Sequence, residues 1–413
     1  MQYRFAILAA RVVIVACLIV AAYECLLFAR AEYLYREDTA TSVPRAVALV
    51  PFNADYQTRL AAWQPQRKEE LLNKSVALNP FDVEAWMQLG LTAELQDGDA
   101  KAAERYYLRA ADVDKMFRPR WTLTNFYFRQ QNPSEFFRWA RATLEITPYA
   151  AEPVFAQMWL VTQDAKTLAA VIPDRPNVLV QYALYLPKEK QFDAIPPIVQ
   201  RLTAHVDARD AHGYGRDDLI GPLEDRLLLA GEDDAALEIW ITMVKAHWLT
   251  YAAPTRSHPL TNGDFHNAFF QHGFDWAIAN PEGVTITPIP VDKRLRLTFS
   301  GDEGEHVPIL RQFIPLQPGG NYRLQWLTEA DQVTSPSGLN WRIYPLEKNA
   351  GPDLKSGDVL APGAASWDFR ADAAARYAML TLEYIRPIGS TRAAGVVTIR
   401  AVSLKEIDAA HEE

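Results

Sequence analysis

The amino-acid sequence predicts a multidomain protein with an N-terminal transmembrane helix, an all-α solenoid and a C-terminal all-β sandwich. Three observations predict this fold class. Residues 5–29 are almost uniformly apolar, and residues 44–253 follow a helical pattern with proline at its boundaries. After Pro254, apolar and polar residues alternate with period two. A chain of 413 residues is long enough for more than one domain.

Composition excludes several classes of protein. The formal net charge is −9, whereas a nucleic-acid-binding protein usually presents a basic face, so we expect no nucleic-acid partner. The chain has two cysteines, Cys17 and Cys25, and both lie in the apolar segment. Neither a disulfide framework nor a cysteine-based metal site is therefore expected outside that segment.

The apolar segment, residues 5–29, reads FAILAARVVIVACLIVAAYECLLFA. A helix of ~20 residues crosses the hydrocarbon core of a bilayer. Arg4 and Arg11 precede its uninterrupted apolar run, whereas the flank behind it is mixed and slightly acidic. The positive-inside rule then predicts a single-pass protein of the bacterial cytoplasmic (inner) membrane, with its N-terminus inside and its bulk in the periplasm or cell exterior. Residues 1–31 would form the cytoplasmic tip and signal anchor, and residues 32–43 a linker.

Two alternatives to a retained anchor stay open at this point. Ala29-Arg30-Ala31 has the pattern of a signal-peptidase site, which would place a cut before Glu32. Residues 14–17, Ile-Val-Ala-Cys, resemble a bacterial lipobox, which implies lipidation at Cys17. All three interpretations place the bulk of the chain outside the cytoplasm.

The second part, residues 44–253, contains an internal repeat. The sequence ALVPFN at 48–53 recurs as ALNPFD at 77–82, an offset of 29 residues. Pro80 and Pro148 are 68 residues apart, and Trp121 follows Trp86 by 35. A recurring unit of this length predicts stacked helix pairs, because one pair alone cannot bury its apolar face.

The clearest unit, residues 83–116, has five residues with successive spacings of 3, 1, 12 and 4: Trp86, Leu89, Gly90, Ala102 and Tyr106. These spacings resemble those of the tetratricopeptide-repeat helix pair. We expect Gly90 to let the second helix approach closely, with Ala102 and Tyr106 filling the junction. The resemblance implies a helical array over 44–253 whose grooves bind a protein or peptide partner.

The third part, residues 258–406, shows short alternating segments separated by proline–glycine turns. Examples of the alternation are Tyr322-x-Leu324-x-Trp326 and Leu339-x-Trp341-x-Ile343. About eight such strands predict an all-β sandwich or jelly roll, followed by a tail at 407–413.

Four segments of this part resemble jelly-roll carbohydrate-binding modules of the xylanase-associated type. They are LTNGDF at 260–265, GFDW at 273–276, the strand and Pro-Gly turn QFIPLQPGGNYR at 312–323 and the closing strand VTIRAVSL at 397–404. The resemblance implies a jelly-roll fold and, with less specificity, binding of a glycan.

Strand alternation selects the candidate glycan-binding residues. It predicts that Gln325, Arg342, Tyr344 and Glu383 share one outer face, where polar groups could bind sugar hydroxyls and an aromatic ring could stack on a sugar. Trp276 is a further candidate platform. The alternative is that the four residues form the solvated face of an ordinary sandwich and that Trp276 fills the core.

No catalytic motif for phosphate binding, dinucleotide binding, zinc hydrolysis or a nucleophile elbow occurs in the sequence. We therefore expect a non-enzymatic scaffold of the bacterial envelope, without cofactor or metal. The helical repeats would bind a protein and the sandwich a glycan, in polysaccharide assembly or export. The alternatives are a pure protein-interaction module with a structural sandwich, and a subunit of a glycan-active enzyme.

Overall fold

The structure is a computed structural model that describes residues 2–148, 150–207, 210, 219–361 and 365–408. Contacts divide the chain into two compact units. Unit 1 comprises Met1–Ala150 and Ala156–Thr162, and unit 2 comprises Ala151–Phe155 and Gln163–Glu413. The order of helices followed by antiparallel sheets confirms that part of the predicted fold class. The domain limits, the solenoid and the jelly roll stay predictions, and the tail lies mostly outside the described residues.

Unit 1 is helical. Its helices are α1 (Gln2–Glu37), α2 (Ser42–Leu49), α3 (Ala54–Trp63), α4 (Lys68–Leu78), α5 (Val83–Leu95), α6 (Ala100–Val113), α7 (Phe117–Arg129) and α8 (Pro133–Leu144), and α9 (Glu152–Val161) spans both units. Several begin at a side-chain cap: Asn53, Asp82, Asp99 and Asn132 each accept a hydrogen bond from a backbone N–H of the following turn. The short connections make consecutive helices antiparallel.

Helix α1 extends beyond the apolar segment into the packing of unit 1. Its part Arg11–Glu37 is long and apolar enough to cross a membrane. Its C-terminal turns pack on the following helices, since Ala31 is fully buried and Tyr35 stacks on Tyr56 at 4.8 Å. Residues 32–37 complete α1 and residues 42–43 begin α2, so most of the segment expected to be a linker is helical.

The α5–α6 pair tests the predicted repeat packing. Leu89 is buried, and Trp86 stacks on Tyr106 at 6.0 Å at the border of the same apolar cluster. Gly90, however, lies against the ring of Tyr107, which a Cβ at position 90 would overlap.

The residues that fill the junction are therefore one position further along α6 than predicted. Ala103 and Tyr107 are buried there, whereas Ala102 and Tyr106 are half-buried. Trp121 is also half-buried and stacks on Phe117 at 6.1 Å.

Unit 2 begins with helices and ends with strands. Its helices after α9 are α10 (Ala165–Val171), α11 (Pro176–Tyr185), α12 (Ile195–His205), α13 (Gly221–Ala230) and α14 (Asp233–Lys245). Gly231 ends α13 in the left-handed conformation, with φ +82°, and so allows α14 to start two residues later.

Ten strands follow. They are β1 (Ala277–Ile278), β2 (Val284–Ile289), β3 (Arg294–Ser300), β4 (His306–Pro315), β5 (Asn321–Asp331), β6 (Leu339–Pro345), β7 (Leu354–Asp358), β8 (Ser366–Arg370), β9 (Tyr377–Ile385) and β10 (Ala394–Ile407). Sheet A has the order β1-β4-β9-β6-β7 and sheet B the order β2-β3-β10-β5-β8. All their pairings are antiparallel. The inner faces of both sheets contribute to one hydrophobic core.

Candidate functional site

Three of the predicted binding residues lie together on the outer face of sheet A. On β6, Leu339, Trp341 and Ile343 point into the shared core, which leaves Arg342 and Tyr344 on the opposite face. Register pairs Asn340 of β6 with Glu383 of the neighbouring strand β9. The alternation deduced from the sequence is therefore confirmed for these two strands.

Glu383 is the centre of this cluster. It is buried, and its Oε1 accepts a 2.6 Å hydrogen bond from the Tyr344 hydroxyl. Its Oε2 lies 2.6 Å from His306 Nε2 and 3.6 Å from an Arg342 guanidinium nitrogen. These three donor or cationic groups compensate for burying the carboxylate.

Arg342 links the two sides of the cluster. Its guanidinium lies over the Tyr344 ring, 5.0 Å from the ring centre, and 3.5 Å from the carboxylate of Asp353. Burial and then the hydrogen bond to Glu383 raise the pKa of the Tyr344 hydroxyl above its ordinary range. The hydroxyl therefore stays a proton donor throughout the neutral and mildly alkaline range.

Two polar atoms in the cluster have unused hydrogen-bonding capacity. Thr381 is opposite Arg342 in the ladder, and its buried Oγ1 has no hydrogen-bond partner among the described residues. The same holds for the buried Nε of Arg342. A buried hydroxyl and a buried N–H without hydrogen-bond partners lower the stability of the fold unless another molecule binds them. This face of sheet A is therefore a candidate binding site.

His306 is a member of the cluster that sequence reasoning missed. Strand β4 carries an irregularity between Pro308 and Leu310, where the register shifts by one residue. A strict period-two count back from Ile314 would place His306 in the core, but the bulge reverses its side. The sequence contains no clear signal for that bulge.

Two predicted residues lie elsewhere. Gln325 is on β5 of sheet B, opposite Ser366 and Ser403, so the prediction that it shares a face with Glu383 is wrong. Trp276 is fully buried, and its indole N–H donates to the Asn262 carbonyl at 3.1 Å. A ring enclosed in the core cannot serve as a ligand platform, so the candidate role of Trp276 is also wrong.

The other end of the same face is covered by helices of unit 2. Tyr377 of β9 donates its hydroxyl to Asp234 at the start of α14, at 3.0 Å. Arg376 reaches the same carboxylate at 2.6 and 2.7 Å. Beside them, the fully buried Trp240 of α14 packs edge-on against Phe274, with ring centres 5.7 Å apart. At this end, helix α14 therefore covers the outer face of sheet A.

Acidic groups in this covered region are poorly satisfied. Glu224 of α13 is fully buried, its carboxylate oxygens have no hydrogen-bond partner among the described residues, and burial raises its pKa. Burial, followed by the charge of Glu347, raises the pKa of Asp233 to about 7. Both carboxylates therefore oppose the packing when they are ionised.

Unit 1 contains a separate groove, a cavity of about 520 Å³ between α1, α3, α4 and α5. Three of its charged side chains already have partners: Arg59 binds Asp38, Glu84 pairs with Arg118, and Asp82 accepts hydrogen bonds from Thr58 and Ser75. Two more line it without an ion pair in the described part of the chain.

The two groove residues without an ion pair among the described residues are Asp55 and Lys68. They leave one negative and one positive group available to a ligand in this groove.

No family model matches the chain, and no curated protein matches it. Several solved structures show a distant likeness. YrrB, a TPR protein with an unusual peptide-binding site, is 11% identical, and the match covers 50% of this chain and 93% of YrrB at a TM-score of 0.26. PilF of Pseudomonas aeruginosa is 18% identical over 48% of this chain and 93% of PilF, with a TM-score of 0.25. The apo structure of BiXyn10A CBM1 is 16% identical over 31% of this chain and 84% of that chain, with a TM-score of 0.20. TM-scores of this size carry no argument about activity.

Proposed function

We propose that the protein is a non-enzymatic, membrane-anchored scaffold whose helical unit binds a protein or peptide partner. The observation that supports this most directly is the groove between α1, α3, α4 and α5, which offers about 520 Å³. Two of its charged groups, Asp55 and Lys68, form no ion pair within the described residues. A groove walled by helices and lined by mixed polar and apolar groups suits an extended or helical peptide.

On this proposal α1 anchors the chain in the cytoplasmic membrane, with the bulk of the protein in the periplasm or outside the cell. The supporting feature is the length and apolar composition of Arg11–Glu37. Positive charge before the apolar run favours this orientation. The process it serves is the assembly or export of an envelope polysaccharide.

The peptide-binding proposal is tested by crosslinking in the native membrane. A photo-crosslinking amino acid replaces the exposed groove residue Ala62. The expected product is one discrete adduct, which Lys68→Glu abolishes by reversing the charge that a partner would contact. The control, Lys101→Glu, makes the same charge change at an exposed position on α6 and should leave the adduct intact. An adduct that survives Lys68→Glu unchanged would rule out recognition through this groove.

A second function is glycan binding at the open end of sheet A, the part of its outer face around Glu383 and Tyr344. It is favoured by Thr381 Oγ1 and Arg342 Nε, which have no hydrogen-bond partner among the described residues. Sugar hydroxyls can donate to the first and accept from the second, and the aromatic ring supplies a stacking surface. In the alternative, an interaction module that binds no glycan, these buried atoms have no partner among the described residues.

The glycan proposal is tested on the detergent-solubilised full-length chain with a broad panel of immobilised polysaccharides. We expect retention on one class of glycan that Arg342→Ala removes. Gln325→Ala, a polar residue on the outer face of the other sheet, is the matched control and should bind like the wild type. Absence of retention on every glycan would leave the protein-binding scaffold as the remaining function.

A further inference from the structure

The antiparallel helices of unit 1 give it two edges formed by helix connections. The near edge contains the connections α2–α3, α4–α5 and α6–α7, and the far edge contains α1–α2, α3–α4, α5–α6 and α7–α8. Ion pairs confirm this assignment at both edges. Arg118 pairs with Glu84 at 2.6 Å between the starts of α7 and α5, and Arg129 pairs with Glu94 at 2.8 Å between their ends.

The connections of the near edge present apolar side chains to solvent. Phe52, Phe81 and Met116 are 61%, 71% and 69% exposed. Phe52 and Phe81 occupy equivalent places in the two copies of the repeated Pro-Phe turn, after Pro51 and Pro80. Large rings are normally buried, so the same exposed ring in successive turns indicates a surface that is covered in the native setting.

The connections of the far edge are polar instead. They contain charged side chains such as Asp38, Arg67 and Asp97. At this edge the indole N–H of Trp63 donates a 2.9 Å hydrogen bond to Asp38, which holds the ring in place. The contrast between the two edges shows that the apolar residues of the near edge are not a general property of turns in this unit.

Helix α1 leaves unit 1 through the near edge. The ring of Phe28, in the last part of the apolar segment, lies edge-on to the ring of Phe52, with centres 5.9 Å apart. One turn later, Glu32 of α1 accepts a hydrogen bond from Tyr56 at 3.1 Å. Phe52 is therefore at the height where α1 changes from an apolar surface to a packed and polar one.

We propose that the near edge of unit 1 rests on the membrane that holds α1, with Phe52 and Phe81 inserted at the lipid–water interface. This inference rests on the proposed membrane anchorage. Aromatic side chains favour the interface because an apolar ring there leaves water. A lipid surface, rather than a second protein, is the occupant because the edge is continuous with the helix that enters the bilayer.

The proposal is tested with the full-length chain in lipid nanodiscs. In a Cys17→Ala, Cys25→Ala background, single cysteines replace Phe52, Phe81, Leu95 or Tyr23 and carry an environment-sensitive nitrobenzoxadiazole label. Leu95, 67% exposed at the far edge, is the matched apolar control, and Tyr23 reports on α1 itself. Lipids carrying shallow nitroxides should quench the labels at 52 and 81 at least about twofold more than the label at 95.

A second measurement guards against a label that inserts by its own hydrophobicity. The label is placed at exposed Lys115 beside Met116, with the edge either native or carrying Phe52→Asp and Phe81→Asp. Quenching at 115 should fall to the level at 95 in the doubly substituted edge. Equal quenching of the labels at 81 and 95, together with strong quenching at 23, overturns the proposal. That result would still agree with membrane anchorage through α1. Absence of quenching at 23 instead contradicts the anchorage on which the proposal rests.

Discussion

The two ends of the outer face of sheet A carry the same set of groups in different circumstances. At the covered end, Tyr377 donates to a carboxylate, and Arg376 binds that carboxylate and lies 5.8 Å from the Tyr377 ring centre. At the open end, Tyr344 donates to Glu383, and Arg342 lies 5.0 Å from the Tyr344 ring centre. A tyrosine, an arginine and a carboxylate thus recur at both ends.

The difference lies in where the carboxylate comes from. At the covered end it is Asp234 of α14, so Tyr377 of β9 and Arg376 just before it bind a helix of the same chain. At the open end Glu383 belongs to the sheet itself, and its partners His306, Tyr344 and Arg342 lie on strands β4 and β6. The comparison shows that the same three groups satisfy one another within the sheet at one end and hold a helix of the same unit at the other.

The largest expected effect is loss of packing at the covered end. Trp240→Ala removes a fully buried ring that contacts Phe270 and Phe274, so we expect unfolding free energy to fall by about 3–5 kcal/mol. Denaturant unfolding of the full-length chain measures it. Tyr344→Ala at the open end is the matched control, and a loss there as large as for Trp240→Ala would contradict the distinction between the ends.

The next effect depends on pH. The pKa of Asp233 is raised to about 7 by burial, whereas an unfolded aspartate titrates near 4. The folded state therefore binds more protons between about pH 4 and 7, and stability falls as the pH rises through that window. Asp233→Asn cannot ionise, so we expect it to stabilise the protein by about 1–3 kcal/mol at pH 8 and by little at pH 4.

Its neighbour provides a control with the opposite sign. The hydrogen bond from Arg376 holds the pKa of Asp234 below its ordinary value. Its contribution is present above the unfolded pKa and is lost as the pH falls through the folded one. Asp234→Asn should therefore destabilise the chain at pH 8. Thermal melts across this pH range check both substitutions, and parallel profiles for the two would be inconsistent with their assigned environments.

A smaller effect is expected from the centre of the open end. Glu383→Gln keeps the size of the side chain but weakens its hydrogen bonds to Tyr344 and His306, at a cost of about 1–2 kcal/mol. Asp353→Asn, at the exposed margin of the same cluster, should change stability much less. Chemical denaturation compares the two variants, and equal losses would show that Glu383 is not the organising group.

The smallest effect is expected from the exposed ion pair at the covered end. Arg376→Ala removes contacts to Asp234, but both side chains are well exposed, so the loss should be below about 1 kcal/mol. Added salt should reduce the difference from wild type, because mobile ions screen exposed charges. A salt-independent loss would mean that Arg376 acts through packing on Tyr377.

Sequence reasoning placed Arg342, Tyr344 and Glu383 correctly because β6 and β9 alternate regularly where those residues lie. It misplaced Gln325 because alternation tells which face of a strand a residue occupies but not which sheet the strand joins. It missed His306 because a bulge reverses the alternation in β4.

The helical prediction erred for a different reason. Two alanines and two tyrosines are adjacent in α6, as Ala102-Ala103 and Tyr106-Tyr107. Ala102 with Tyr106 and Ala103 with Tyr107 therefore have the same spacing of a small and an aromatic residue. The two pairs point in directions that differ by about 100° around the helix. The sequence alone therefore cannot tell which pair faces Gly90.

The continuity of α1 with the packing of unit 1 has a mechanical consequence. From Phe28, near the end of the apolar segment, to Tyr35 at the wall of the groove, the helix rises only about 10 Å. A flexible linker would let the groove take many positions relative to the apolar segment. A continuous helix instead fixes the distance and the angle between the groove and that segment. In a membrane-anchored chain, this rigid connection keeps the groove at a fixed, short distance from the bilayer surface.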